Sequence, residues 1–461
     1  MRGAPVNRVP FPELLAPAGD LERLRVCLLY GADAVYLGGR SANLRAACAG
    51  FSSADLNQGA AEAGTAGARL YYCLNSFPQE KDLPGLPAVI ETAASAGIHA
   101  FIVADPGALR LVRRYAPGLP VHLSTQANTT NSETVAFWAE QGVRRINLAR
   151  ELNCREIRAI RAACPQTEIE VFVHGAMCLA VSGQCLLSAW LNDRPANQGR
   201  CTQPCRFEYR AMDCGLAEGR AALTVEERTR PGEPLWEVTR DERHSSFWAP
   251  HELCLLPWLS WFARNGIHSL KIEGRMRGPA YIAQVVDAYR HALDRVKAGL
   301  SGAAGSNYGA GSSLDRRGRG GLDSCMAELF HAASRPLSSG FFLPGKRRDF
   351  SRELLSRSGM AGITPRSGSS DLPDFGRRPL ARVLEPAGRA AWRVEILSNW
   401  RREWDVELVL PGLNRPQLIG GAYGLENQRG ELANELGSGV RGLLYADAEG
   451  IVPGVFIRGK R

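Results

Sequence analysis

Cys178, Cys185, Cys201 and Cys205 crowd one segment with the spacing C-x6-C-x15-C-x3-C. Thiolates are soft ligands, so the quartet points to zinc or to an iron-sulfur cluster, with plain packing as the third reading. The paired C-x2-C knuckles of a zinc ribbon are absent. The wide first gap suits a larger object held by a looping segment, which favours iron and sulfur. Cys27, Cys48, Cys73, Cys154, Cys164, Cys214 and Cys325 are instead scattered through mostly apolar runs and read as small buried hydrophobes. A disulfide framework is not expected, because a chain of 461 residues holds a core without staples.

The quartet leaves directly from the end of a strand whose side chains alternate in character. Ile169, Val171 and Val173 form one face and Glu170, Phe172 and His174 the other. The run Ser269–Arg275 repeats this, with Lys271, Glu273 and Arg275 opposite Leu270, Ile272 and Gly274, and His122, Ser124 and Gln126 oppose Val121, Leu123 and Thr125. A structural barrel interior is layered with branched aliphatics, so ionisable groups at the strands' C-terminal halves imply a working site at the mouth. An internal salt-bridge layer is the competing reading.

These strands belong to a longer alternation of short β-rich runs with helical segments. Candidate strands are Glu13–Pro17, Ala34–Gly38, Arg69–Asn75, Ala100–Asp105, Val121–Gln126, Arg145–Arg150, Glu168–Gly175 and Ser269–Arg275. Eight such units predict an α/β fold, a TIM-like (β/α)8 barrel over residues 1–299 carrying the cysteine segment 176–206. Residues 222–238 read as an inserted hairpin turning at Arg230-Pro231-Gly232-Glu233. Residues 300–378 are rich in Gly, Ser and Arg and read as a linker, and 379–461 as a C-terminal small all-β barrel domain.

The composition, 45% hydrophobic and 22% charged, is that of a globular protein and excludes fibrous and disordered classes. No apolar run is long enough to span a membrane, and Met1-Arg2-Gly3-Ala4-Pro5 opens no secretory signal, so a cytoplasmic protein without a membrane partner is expected. The formal charge of +9 favours polyanionic partners. Only five of the 56 cations are lysine, and arginine brings a planar fork for phosphate and a flat face for bases.

The cysteine segment, Glu170-Val-Phe-Val-His174-Gly175-Ala-Met-Cys178 onward to Cys205-Arg206, resembles the signature of the U32 peptidase family, the collagenase-like peptidases. Glu13-Leu-Leu-Ala-Pro17-Ala-Gly19-Asp20, Gly31-Ala-Asp-Ala-Val-Tyr36-Leu-Gly38, Leu123-Ser-Thr125-Gln126-Ala-Asn128 and Leu270-Lys271-Ile-Glu273-Gly274-Arg275-Met276 resemble its barrel motifs, in the same order. The resemblance implies a 4Fe-4S cluster and hydroxylation without molecular oxygen, with prephenate as the hydroxyl donor. It extends to members acting on tRNA wobble uridine, on a cytidine of 23S ribosomal RNA, or on a ubiquinone precursor. Length and a single β appendage resemble the shorter tRNA-acting members, so tRNA is favoured over rRNA. Cys178, Cys185, Cys201 and Cys205 match the cluster ligands; Cys254 stands where some relatives supply a fourth ligand and is the alternative to Cys205.

On this reading Lys271 and Arg275 hold the carboxylates of a small anionic donor, and His174 shuttles protons with Glu170 or Glu273. Tyr36 or Tyr72 stacks on the extruded base, beside Asn75 and Gln126 as further substrate contacts. The alternative is a peptidase, yet neither an H-E-x-x-H nor a G-x-S-x-G motif occurs. A purely structural metal domain or an RNA-binding module is the third class.

Overall fold

A computed structural model describes residues 11–43, 50–178, 180–181, 184–185, 187–192, 194, 196, 200–206, 208–209, 223–226, 234–240, 245–246, 251–302, 319–344, 348–350 and 379–459. They fall into two compact units, one drawn from residues 1–21, 34–276 and 335–373, the other from 22–33, 277–334 and 374–461.

The first unit is a closed parallel barrel. Its strands are β1 (Glu13–Pro17), β2 (Ala34–Leu37), β3 (Arg69–Leu74), β4 (Ala100–Val103), β5 (Val121–Leu123), β6 (Arg145–Asn147), β7 (Glu168–Ala176) and β8 (Ser269–Ile272). Each pairs in parallel with the next, and β8 pairs with both β1 and β7, which closes the cylinder. All eight strands stand where alternation placed them. Most end short of the sequence expectation, because the chain turns at their C-terminal ends: Thr125–Ala127 is a 3-10 turn followed by Asn128 in the left-handed conformation.

Helix starts follow side-chain capping. Asp105 accepts from the Ala108 amide, Asn131 from Thr134, and Ser52 with Asp55 and Asn153 with Glu156 form reciprocal boxes. Strand Glu252–Cys254 runs antiparallel to the end of β7 and carries Leu337–Ser338 at its other edge. The expected hairpin is present as antiparallel strands Leu223–Glu226 and Pro234–Arg240; its turn lies outside the described residues.

The barrel interior is divided. Leu15, Ala34, Tyr36, Tyr71, Cys73, Ala100 and Ile102 from β1 to β4 form an apolar cluster. Buried within the same unit are Glu13, Arg145, Glu170 and Lys271. Arg145 bonds Glu13 and Glu168 and lies 3.7 Å from Glu170, which receives the Lys271 ammonium at 2.8 Å.

In the second unit, strands Pro379–Gly388, Ala391–Ile396, Val406–Val409, Gln417–Leu418, Gly424–Glu426, Arg441–Tyr445 and Phe456–Gly459 form one antiparallel sheet, a half-barrel whose edges are Gln417–Leu418 and Gly424–Glu426. Its core holds Val394, Trp400, Leu408, Leu425, Leu444 and Ile457. The stretch read as a linker contains a helix, Arg319–Ala332, with Cys325 and Leu329 fully buried. Its Gly and Arg content hides a short apolar stripe. No helix among the described residues is long and apolar enough to cross a membrane.

A buried ionic network organises this unit. Arg458 donates to Glu328, Glu407 and Gln284, and Arg415 to Glu328 and Asp287. Burial pushes the Glu328 carboxyl up, but hydrogen bonds from Arg458 and the charges of Arg415 and Arg458 outweigh this and hold it below its ordinary value. Its contribution is therefore present above the unfolded pKa and is lost as pH falls through the folded one. Glu328→Gln should cost about 3–5 kcal/mol in urea unfolding at neutral pH, with a deficit that narrows on acidification.

Candidate active site

At the C-terminal ends of the barrel strands lies a cleft of about 1230 Å³, its open mouth included. β2 contributes Tyr36, the ends of β3 and β5 contribute Asn75 and Gln126, and β8 with its following turn contributes Lys271, Glu273 and Arg275. The segment after β7 adds Cys178, Cys185, Cys201 and Cys205. Ten of the residues singled out from the sequence thus meet in one place. His174, Glu170 and Tyr72 do not line the cleft.

The reasons are local. Lys271 pairs with Phe172 across the ladder but Ile272 pairs with His174, so β7 carries an irregularity between them. An extra residue breaks the two-residue alternation, and His174 is fully buried with its backbone paired to Cys254 and Glu273. Gly175 follows at φ 107°, where a Cβ would stand 2.5 Å from the Glu273 carbonyl oxygen, so only glycine fits. Glu170 lies deeper, bonded to Lys271. Tyr72 packs edge-on against Phe101 at 5.9 Å, and burial pushes its phenol up to about 12.

Cations and rings alternate along the wall. The Arg150 guanidinium lies 3.8 Å from the Phe172 centroid, Lys271 sits 5.5 Å from Phe172 and 4.4 Å from Tyr36, and Arg275 lies 5.7 Å from Tyr36. The Tyr36 hydroxyl donates to the Ile272 carbonyl, and Arg275 to Asn43 at 3.2 Å. Asn75 donates to Ser124, and Glu273 accepts from the Ala176 amide. Arg150, Asn147 and Phe172 went unnoticed in the sequence as site residues; the first two are single polar positions at the end of β6 with no spacing signal.

Of the cysteines that line the cleft, the four after β7 are exposed or half-buried, whereas Cys73 is buried. Cys178 is exposed and Cys185, Cys201 and Cys205 are half-buried, whereas Cys27, Cys73, Cys254 and Cys325 are buried, and Cys154 and Cys164 are half-buried away from the cleft; Cys48 and Cys214 lie outside the described residues. Two sulfurs accept backbone N–H bonds, Cys185 from Leu187 at 3.4 Å and Cys201 from Gln203 at 3.3 Å. Backbone N–H donors of this kind commonly accompany sulfur ligands. Among the described residues no group of three or more His, Cys, Asp or Glu side chains is drawn together tightly enough to grip an ion directly. What the cleft does present is a donor set of four soft sulfurs lining one side, with backbone N–H groups on two of them. Cys254 is fully buried, pairs through its strand with His174 and does not line the cleft.

Lys271→Met would leave Glu170 buried beside Arg145 without its ammonium. We expect a loss of about 3–5 kcal/mol in urea unfolding, and partial recovery in Lys271→Met combined with Glu170→Gln; equal losses in both would show that the pair is not coupled.

Residues 19–351 match the model of Peptidase family U32. The chain is 37% identical over 313 residues to tRNA hydroxylation protein P of Escherichia coli, covering 62% of this chain and 69% of that one. It is 38% identical over 284 residues to tRNA hydroxylation protein P1 of Bacillus subtilis, covering 61% and 63%, and 34% identical over 284 residues to the 23S rRNA 5-hydroxycytidine C2501 synthase of Escherichia coli, covering 62% and 39%. The matches thus span about two thirds of the first two relatives' length and well under half of the third. On the family match the chain belongs to peptidase family U32.

Proposed function

We propose that this protein hydroxylates RNA in the cytoplasm, most specifically at C5 of a tRNA wobble uridine. Cys178, Cys185, Cys201 and Cys205 hold a 4Fe-4S cluster, and a prephenate-like anion donates the hydroxyl. The observation that carries the reading is the convergence of those four thiols on a cleft walled by Lys271, Arg275 and Arg150, in a chain similar to proteins named for tRNA and rRNA hydroxylation. When bound, the cluster supplies redox or Lewis-acid chemistry beside the substrate. The chain's own residues do the rest. Arg275 attracts donor carboxylates by charge-assisted hydrogen bonds, Lys271 lends field while remaining paired with Glu170, and Glu273 at the cleft wall is the proton-handling group.

Hydroxylation of a 23S rRNA cytidine is the second reading, supported by the similarity to the C2501 synthase. A peptidase of the Ser-His or Cys-His type is disfavoured, because the described cleft lining contains no histidine to act as base.

Anaerobic purification should give brown protein with about four irons and four sulfides per chain, and serine at any of the four cysteines should lower that content severalfold. Nucleoside mass spectrometry of tRNA and rRNA from a deletion strain should show loss of one hydroxylated pyrimidine, restored by the wild type and not by the serine variants. Colourless protein with unchanged nucleosides overturns the reading.

A further inference from the structure

Three polar atoms in the cleft wall are buried without a hydrogen-bond partner among the described residues: Gln126 Oε1, Asn147 Oδ1 and Arg150 Nε. Gln126 is 7% exposed and Asn147 2%, and all three residues line the cleft. Each such atom left unmet costs on the order of 1–3 kcal/mol, so three on one wall mark a place where something else completes the bonding. They are held firmly. The Gln126 backbone carbonyl accepts from Gln184 at 2.9 Å and its amide donates toward Ser124, while the Arg150 fork is fixed by the Phe172 ring and the Ala176 carbonyl.

The chemistry of the set selects the ligand. A carboxylate or a phosphate carries only acceptors and could meet Arg150 but would leave both amide oxygens unmet, so the whole set is satisfied only by a ligand with donors and an acceptor on one edge. A pyrimidine edge offers both: uracil presents N3–H between two carbonyl oxygens, and cytosine an amino group beside N3 and O2. Side-chain amides and guanidinium groups read such edges in extruded or single-stranded bases.

We propose that Gln126, Asn147 and Arg150 form a base-reading subsite that binds the edge of an unpaired pyrimidine drawn into the cleft, with Phe172 setting the plane of Arg150. This rests on the RNA-hydroxylating reading and gives its substrate side a location. Arg150 then serves the base rather than the small anionic donor, which is left to Arg275.

The test is binding by the full-length protein of a fluorescent RNA hairpin whose loop carries uridine, cytidine or an abasic residue at one position, at fixed salt. The abasic hairpin should bind the wild type about tenfold or more weakly than a pyrimidine hairpin. Asn147→Leu and Gln126→Leu should each weaken pyrimidine binding by a similar factor and leave abasic binding unchanged. Arg150→Lys, which keeps the charge and loses the fork, should behave likewise. Asn147→Ala replaces Asn147→Leu if the latter does not fold. The inference is overturned if the wild type binds abasic and pyrimidine hairpins equally, if it binds none of them, or if the variants lose the same factor on both. Base-dependent binding without any hydroxylated nucleoside would instead sink the hydroxylation reading and leave the subsite standing.

Discussion

The structure of the barrel depends on a layer of buried charge below the cleft. Arg145 is bonded to Glu13 and Glu168, lies near Glu170, and shares that carboxylate with Lys271. Burial works against a charged guanidinium, but the fields of Glu13 and Glu170 overcome it and hold Arg145 protonated. Charges at this depth are tolerable only when paired, so the layer fixes which face of β1, β6, β7 and β8 turns inward. Once that face is set, the next inward positions of β6, β7 and β8, Asn147, Phe172 and Glu273, arrive at the mouth. The same field acts on His122, whose imidazole is held neutral by burial and by Arg145 and Lys271.

Above the layer, one irregularity separates structural from functional groups. The break in alternation in β7 leaves Phe172 in the cleft and carries His174 into the wall beside Cys254. Gly175 then lets the strand pass against the Glu273 backbone, and Met177 and Cys178 emerge at the mouth. A histidine one residue before a glycine, in a motif that ends in cysteine, reads from sequence as catalytic. Here it is buried below the cleft lining, its backbone paired to Cys254 and Glu273.

Much of this was legible because it is periodic. The succession of short β-rich runs and helical segments located all eight strands, two-residue alternation within them sorted Lys271, Glu273 and Arg275 onto one face, and four cysteines in a short span stood out against scattered ones. What was not legible lacks a period. Strand ends were drawn too long because Ser124, Thr125 and Gln126 look β-like until a 3-10 turn begins at Thr125. The helix Arg319–Ala332 was hidden by its glycines and arginines. Asn147 and Arg150 are single polar residues, distinguished only by burial and by unmet hydrogen-bonding atoms, quantities that exist only after folding. An internal salt-bridge layer was the competing reading of the inward charges, and Glu170 with Lys271 forms such a pair.

The distribution of charge along the chain separates two tasks that RNA recognition requires. Residues 379–459 carry nine arginines against ten carboxylates, so the terminal sheet is not a cationic platform, contrary to the simplest expectation for an RNA-binding appendage. Residues 300–378 hold twelve cations against seven acids and account for most of the surplus. Contacts to phosphates position a nucleic acid without reading it, whereas base edges carry the sequence. On the RNA-hydroxylating reading, attraction therefore belongs to the basic stretch and weakens with salt, while discrimination belongs to the neutral amides of Gln126 and Asn147 and does not. A cleft that relied on charge alone would draw in any strand. One that presents buried amide oxygens beside a clamped guanidinium leaves both oxygens unmet when a phosphate enters, so a base edge that carries donors as well as an acceptor is preferred at that position.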